Sequence, residues 1–409
     1  MISARNVVRR DPLALLPGQA VHLGHSCLLV DVAGLRLLLD PATLTGHATA
    51  PFANLTTTAC RLKSYRPLFD LPARIGSPRS LAQAADIVLY SHMHADHFNA
   101  AVLQELLAHQ PDLRVILPQG GLRLLGSPRP SLPGLLEPGR RALARLGWLD
   151  TAPAGLDAFL NSRPVDLPGA SVCEVDDGDV VVLRERPRVE LRAFAVTHPR
   201  PLMWAPTPFE AAFPPVLGYE IGYDDDGVWR HVLLVGETAL DAGVLQTIAD
   251  RAASLTTAFL PVDLPLGGRW LAPWYEHVCH ASPRFLAMAA RLAGTHATIV
   301  PIHQGLWCYD FDRGDVPELT RRPTGRALSV ADALADAQAT RRFGPARLRA
   351  WQALTDTLAA LSPTAPIADP EPGVPFALDR ETSAAPLPQR PEGLFNVEWN
   401  PSSLLPEPV

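Results

Sequence analysis

The segment Ser91-His92-Met93-His94-Ala95-Asp96-His97 brings three imidazoles and one carboxylate together within seven consecutive positions. Imidazole nitrogens and carboxylate oxygens are ligands that zinc and related divalent metals accept. A single histidine is more often structural than a metal ligand, and a solvated histidine-rich loop is the alternative for the whole segment. Four donors at this density favour a metal site. We therefore predict that His92, His94, Asp96 and His97 bind metal.

The elements around this cluster predict an α/β fold. Residues 85–90 form a short, nearly continuous apolar run that is typical of a buried strand, and the cluster follows it directly. Residues 99–109 have apolar side chains at helical spacing, and residues 113–117 are predicted to be the next strand. This order of strand, loop, helix and strand is characteristic of α/β proteins, in which strand ends carry functional loops.

Further strands and helices are predicted on both sides of the cluster. Residues 19–40 are predicted to form two strands joined by a turn at Val32-Ala33-Gly34, and Asp224-Asp225-Asp226-Gly227 predicts a hairpin turn. Other predicted strands are residues 180–183, 189–196, 216–223, 231–235, 257–262 and 297–301, and other predicted helices are residues 245–253 and 283–293.

Stretches rich in proline divide the chain. Residues 51–80 and about 120–168 contain several prolines and no sustained period, and we predict that both are insertions. After Ser362 the sequence becomes proline-rich, which predicts an extended tail that either wraps the domain or is partly disordered. We predict that this tail lacks regular secondary structure and is dispensable for chemistry. We therefore expect one large catalytic domain over residues 1–320 and a C-terminal extension over residues 321–409.

The composition of the chain limits which binding partners and which cellular location we expect. The net charge of −6 gives no basic field for a phosphate backbone, so we expect no nucleic acid partner. The five cysteines are scattered and form no C-x-x-C pair, so a disulfide framework is not predicted. No apolar run approaches the ~20 residues that span a bilayer. We expect a cytoplasmic protein without a transmembrane segment, and a homo-oligomer is left open.

The H-x-H-x-D-H pattern after a strand resembles the hallmark of the metallo-β-lactamase superfamily. Within it, the chain resembles the branch that contains the N-acylphosphatidylethanolamine-hydrolysing phospholipase D and the L-ascorbate-phosphate lactonase. The resemblance runs over about residues 19–307 and implies an αββα sandwich of two mixed sheets flanked by helices. Beyond the cluster, it is carried by Leu23-Gly24-His25-Ser26, Asp40-Pro41, Thr197-His198, Val235-Gly236-Glu237-Thr238, His280-Ala281-Ser282-Pro283 and Pro301-Ile302-His303-Gln304-Gly305.

The resemblance implies a dinuclear metal site. One metal would be held by His92, His94 and His198, and the other by Asp96, His97 and His303. The family bridges the two metals with an aspartate, and this chain has Glu237 at that position. Zinc is the expected metal. Iron or manganese is the alternative, because carboxylate-rich coordination suits harder ions.

Each residue outside the cluster has a structural alternative. Glu237 could instead stabilise the N-terminus of a following helix, and His198 or His303 alone would be an ordinary strand-end histidine. His25 is interpreted as a turn residue or a support for a ligand. For Asp263 we prefer a loop cap.

The implied activity is hydrolysis by metal-bound hydroxide, most directly of a phosphodiester or of a lactone or other ester, as in a phosphodiesterase or lactonase. An amide is a further option. Asp96 would orient the attacking hydroxide, and His280 would contact the substrate or protonate the leaving group. A small-molecule or lipid-like substrate is expected. The alternatives are a di-iron oxidase or oxygenase on the same fold and a binding module without catalysis.

Overall fold

The structure is a computed structural model of the 409-residue chain. It describes residues 15–24, 26–41, 78–93, 97–98, 100–122, 172–197, 214–262, 281, 283–303, 328–329, 356, 366–369 and 375–378. Both predicted insertions fall almost wholly outside these residues.

The described residues contain fifteen strands and four helices. The strands are β1 (Gln19–Gly24), β2 (Cys27–Val32), β3 (Leu35–Leu39), β4 (Ile87–Leu89), β5 (Arg114–Pro118), β6 (Val172–Val175), β7 (Val180–Glu185), β8 (Arg188–Ala195), β9 (Leu217–Asp225), β10 (Val228–Val235), β11 (Leu255–Pro261), β12 (Thr298–Ile302), β13 (Leu328–Ser329), β14 (Ala368–Asp369) and β15 (Phe376–Ala377). The helices are α1 (Pro78–Ala84), α2 (Ala100–His109), α3 (Ala242–Arg251) and α4 (Pro283–Ala293).

Two mixed sheets contain almost all of the strands. The first has the order β15-β1-β2-β3-β4-β5-β6, and the second has the order β12-β11-β10-β9-β8-β7. Strands β3 to β6 run parallel to one another in the first sheet, as do β10, β11 and β12 in the second. Parallel neighbours end at the same edge of a sheet, so residues that follow these strands gather there.

The sheets pack face to face, and helices cover their outer faces. Leu37 and Leu39 of β3 face the second sheet, while Leu38 between them packs with the helices, as expected because side chains alternate along a strand. Helices α1 and α2 lie on the first sheet, and α3 and α4 lie on the second. The predicted αββα sandwich is therefore observed. None of the helices among the described residues is long and apolar enough to cross a membrane.

Local sequence accounts for the turns and caps that define these elements. The predicted hairpin between β9 and β10 turns at Asp226 and Gly227, whose φ values of 52° and 86° suit a two-residue turn. The side chain of Asp241 caps α3 by accepting hydrogen bonds from the backbone nitrogens of Gly243 and Val244, at 2.7 and 3.1 Å.

Three sequence predictions of local structure were wrong. Residues 19–40 form three strands and not two. The first predicted strand is interrupted between Gly24 and Cys27, and the chain turns again at Ala33 and Gly34. Helix α1 begins at Pro78, inside the stretch predicted as an insertion. Strand β6 was not predicted, because its four residues carry no clear alternation of buried and exposed side chains.

The prediction of a tail without regular secondary structure was also wrong. Strand β15 pairs with β1, and β14 pairs with β13. Phe376 and Leu378 are 2% and 1% exposed, and both belong to the apolar core between the sheets. Two apolar residues at alternate positions suffice to add a short edge strand, and a proline-rich composition masks this signal.

Candidate metal centre

Four strands end beside one another and place the candidate ligands. Asp40 follows β3, and the segment that contains Ser91, His92 and His97 follows β4 in the same sheet. Glu237 lies two residues beyond β10, and His303 directly follows β12 in the second sheet. The site therefore lies where the carboxyl ends of parallel strands from both sheets meet.

The Nε2 atoms of three histidines converge on the carboxylate of Glu237. Glu237 Oε2 is 2.9 Å from His92 Nε2 and 3.6 Å from His97 Nε2, and Oε1 is 3.8 Å from His303 Nε2. The Nε2 atoms of His97 and His303 are 3.1 Å apart. All four side chains are buried. One ligand atom from each of His92, His97 and Glu237 lies within 4.8 Å of the others, a spacing that a single metal ion can satisfy.

Asp40 lies behind these histidines and anchors them. Its Oδ1 accepts a hydrogen bond from Ser91 N at 2.7 Å, and its Oδ2 accepts one from Ser91 Oγ at 2.6 Å. Oδ2 also lies 2.8 Å from His97 Nδ1. Asp40 is fully buried, and a carboxylate is an acceptor only, so the Nδ1 of His97 carries the hydrogen of this contact.

The donor set fits a divalent metal. With its hydrogen on Nδ1, neutral His97 presents a lone pair at Nε2 toward His303 and the Glu237 carboxylate. Lone pairs and a negative carboxylate that converge at a buried site repel each other unless a cation lies among them. A carboxylate that orients a metal-binding histidine through its other ring nitrogen is the usual support for such a ligand.

The backbone is constrained at the same place. A Cβ on Gly236 would overlap Ser91 Oγ and Asp40 Oδ2, so only glycine lets the segment before Glu237 approach them. Asp40 and His303 have φ values of 45° and 55°. This left-handed backbone conformation is less stable by about 1–2 kcal/mol for residues other than glycine. Strain of this kind clusters at functional sites.

Hydrogen bonds tie the two sheets together around the site. Tyr219 on β9 donates its hydroxyl to the backbone oxygen of Tyr90 at 2.7 Å, and Ser26 Oγ donates to the backbone oxygen of Gly236 at 2.8 Å. Burial, together with the nearby charge of Asp40, raises the pKa of Tyr90 and of Tyr219 well above the ordinary range. Both phenols therefore stay neutral beside the centre.

The structure brings together four of the predicted site residues: His92, His97, Glu237 and His303. Glu237 does not cap the following helix, because Asp241 fills that role. The other predicted residues, His94, Asp96, His198 and His280, lie outside the described residues, as do His25 and Asp263. Their roles, and metal binding itself, remain predictions.

Sequence reasoning missed the roles of Asp40 and Ser91. Asp40 was noted only as the end of a strand before a proline, and Ser91 only as the first residue of the cluster. Their position next to strand ends was the available signal. It does not by itself show that Asp40 contacts a residue 57 positions away.

A known protein family matches the part of the chain that contains most of the first sheet and the histidine segment. Residues 20–184 match the beta-lactamase superfamily domain. The matched domain contains Asp40, Ser91, His92 and His97, whereas Glu237 and His303 lie beyond it. The match supports the prediction of an enzyme. It does not single out the phospholipase D and lactonase branch, which remains a prediction. No curated protein matches the chain.

Several solved structures are similar to this chain at low identity and with TM-scores below 0.5. Isothiocyanate hydrolase from Delia radicum gut bacteria is 13% identical, with 88% of this chain and 100% of that chain covered and a TM-score of 0.47. Igni18, a metallo hydrolase from Ignicoccus hospitalis, is 16% identical, with 80% and 92% covered and a TM-score of 0.37. CmlA, a diiron β-hydroxylase from Streptomyces venezuelae, is 15% identical, with 90% and 55% covered and a TM-score of 0.41. The family match over residues 20–184 and the observed αββα sandwich agree with the predicted metallo-β-lactamase fold.

Proposed function

We propose that this chain is a metal-dependent hydrolase with a dinuclear site. The observation that carries the proposal is the convergence of three buried Nε2 atoms on the carboxylate of Glu237. Imidazole nitrogens and a carboxylate that converge in a buried site form a donor set that suits a divalent metal. The matched beta-lactamase superfamily domain supports the same conclusion.

The proposed ligand sets follow the resemblance. His92, His94 and His198 would hold one metal, and Asp96, His97 and His303 would hold the other. Glu237 would bridge the two, a role that its contacts with histidines of both sets support. Zinc is the metal that we propose first, because three imidazoles contribute to the described part of the site.

The residues of the chain would prepare the site for hydrolysis. Divalent cations bound here would lower the pKa of a water molecule and polarise the scissile group of the substrate. Asp40 holds the hydrogen of His97 on Nδ1, so that Nε2 stays available as a ligand. Asp96 would orient the nucleophile, and His280 would contact the substrate or deliver a proton to the leaving group.

A phosphodiester, or a lactone or other ester, is the substrate class that we propose. The support is the likeness of the motifs to those of the phospholipase D and lactonase branch. The substrate would be a small molecule or lipid-like.

A panel of chromogenic substrates tests this function. Protein loaded with zinc, manganese or iron would be assayed on a nitrophenyl phosphodiester, a lactone and an anilide. We expect turnover of the phosphodiester or the lactone that is lost on chelation and restored by metal. His303→Ala should abolish it, and His231→Gln, a change to a buried histidine outside the site, should not. Metal-loaded protein that turns over none of the panel would contradict the proposal.

Di-iron oxidation is the second candidate. The carboxylates of Glu237 and Asp96 support it, because oxygen ligands suit harder ions than zinc. Protein purified without added metal would be examined for iron and for an oxygen-sensitive visible band. Iron with such a band would support oxidation, and zinc without one would exclude it.

A further inference from the structure

The hydroxyl of Ser91 lies between a buried carboxylate and the imidazole of His92. Its Oγ is 2.6 Å from Asp40 Oδ2 and 3.0 Å from His92 Nδ1. We propose that Ser91 is a positioning residue that relays the hydrogen bond of Asp40 to His92 and thereby fixes the tautomer of that imidazole. The role of His92 as a ligand rests on the proposed function, whereas its tautomer does not.

A count of hydrogens assigns the direction of each bond. The Ser91 hydroxyl has a single hydrogen, and it donates this hydrogen to Asp40 Oδ2. Oγ can then only accept from His92, so the hydrogen of their contact is on His92 Nδ1. Because Ser91 is fully buried, water does not compete for these positions.

The same carboxylate therefore sets two histidines by different routes. Asp40 contacts His97 Nδ1 directly at 2.8 Å, whereas it reaches His92 only through the Ser91 hydroxyl. Both Nε2 atoms face Glu237, and with the hydrogens on Nδ1 both would be available to a metal. Without the hydroxyl, nothing in this chain of contacts would hold the hydrogen of His92 on Nδ1, while His97 would keep its direct partner.

The packing around Ser91 leaves its hydroxyl little room to move. Gly236 lies so close that an added Cβ would overlap Ser91 Oγ, and Ser26 donates a hydrogen bond to the Gly236 oxygen. Ser91 N also donates to Asp40 Oδ1 at 2.7 Å, which fixes the serine relative to the carboxylate from a second direction. The hydroxyl is therefore held in one place.

Nitrogen NMR of the histidine rings tests the tautomer directly. Metal-free, ¹⁵N-labelled protein would be studied well above the ordinary imidazole pKa of about 6.5, with the His92 signals assigned by their loss in His92→Gln. We expect a hydrogen on His92 Nδ1 in the wild type. In Ser91→Ala we expect that position to be only partly occupied in His92, whereas His97 should keep its hydrogen on Nδ1, because its contact with Asp40 Oδ2 remains.

Zinc titration of the same variants tests the consequence. Loss of a residue that orients a ligand typically lowers metal affinity about 10- to 100-fold, and we expect this loss in Ser91→Ala. Ser254→Ala is the matched control, because Ser254 Oγ lies 2.8 Å from the Nδ1 of another histidine, His231, away from the site. It should leave zinc affinity unchanged.

The outcomes separate this inference from the proposed function. A wild-type His92 whose Nδ1 carries no hydrogen would overturn the relay, even if Ser91→Ala did not fold. Equal zinc affinity in the wild type and Ser91→Ala would overturn it as well. Failure of the wild type to bind any metal would instead refute the proposed function, and the tautomers of the metal-free protein would still decide the relay.

Discussion

Glu237 is one methylene longer than the aspartate that the resemblance predicts at its position, and its carboxylate reaches histidines from both sheets. We expect Glu237→Asp to keep the fold but to change which metal is preferred, because the shorter arm withdraws the carboxylate from His92. Glu237→Gln should lower the affinity for at least one metal by about tenfold or more, since a neutral amide is a poor bridge between cations. Titration with zinc, manganese and iron measures both effects.

The matched control for these variants is Glu220→Gln. Glu220 is also buried and also contacts a histidine, His231, at 3.2 Å, but it lies outside the site. Its substitution should leave metal binding unaltered. If Glu237→Asp and Glu237→Gln both bound metals as the wild type does, Glu237 would not be a ligand.

Gly236 allows the second sheet to approach Asp40 and Ser91. We expect Gly236→Ala to destabilise the fold by about 1–3 kcal/mol, as overpacking of a tight core does, and to weaken metal binding as well. Gly222→Ala is the control, because its Cβ would overlap the indole of Trp229, away from the site. It should lower the free energy of unfolding in urea but leave zinc affinity intact. Equal zinc affinity in both variants would argue against a role for Gly236 in the site.

At the scale of elements, the sequence predicted those strands and helices whose pattern is local and regular. Helix α4 was predicted with the bounds that the structure has, and the hairpin between β9 and β10 was predicted from its turn residues alone. The histidine segment was placed correctly after a buried strand. These features depend on neighbours within a few positions, which a single sequence contains.

The contacts that complete the site could not be predicted in this way. Asp40 meets His97 only because β3 and β4 are parallel neighbours, and Ser26 meets Gly236 across 210 positions. The pairing of strands in space decides such contacts. The resemblance to a known superfamily supplied His303 and Glu237 as candidates, but not the carboxylate and hydroxyl behind the histidines.

His231 joins three elements outside the site and should make stability depend on pH. Its Nε2 accepts from Trp229 Nε1 at 3.1 Å and lies 3.2 Å from Glu220, which is paired with Arg251 of α3. Burial is the main cause that lowers the pKa of His231 below 6.5, and the charge of Arg251 lowers it further, while that of Glu220 opposes both. The imidazole of His231 therefore binds a proton less readily in the folded state than in the unfolded state.

Neutral His231 therefore contributes fully to stability above the pKa that it has in the unfolded state, about 6.5. This contribution is lost as the pH falls from there toward the lower pKa that His231 has in the folded state. We expect the free energy of unfolding of the metal-free protein to decrease over this window, and His231→Gln to reduce that dependence. Urea unfolding at a series of pH values measures the difference. Identical pH profiles for the two proteins would contradict this assignment.

On the scale of the whole molecule, Phe376 and Leu378 from the proline-rich part of the chain belong to the core. The backbone of Leu378 donates to Gly18 O at 2.8 Å, and its oxygen accepts from Thr257 Oγ1 at 2.6 Å, so this residue links the two sheets. Strand β15, which lies in the predicted C-terminal extension, forms the edge of the first sheet.

Truncation after residue 362 should therefore destabilise the protein. It would remove Ile367, Phe376 and Leu378, and burial of each such side chain contributes roughly 1.5–3 kcal/mol. Truncation after residue 380 keeps both β14 and β15 and is the matched comparison. We expect a lower melting temperature or loss of soluble protein only in the shorter form. Equal stability of the two forms would restore the view that this segment is dispensable.

The metal content of the purified protein tests the central claim most directly. The protein would be loaded with zinc, freed of excess metal by gel filtration, and analysed by plasma mass spectrometry beside His97→Ala and His231→Gln. We predict about two zinc ions per chain in the wild type and in His231→Gln, and no more than about one in His97→Ala. A wild-type protein without bound metal, or a His97→Ala variant with as much metal as the wild type, would contradict the account.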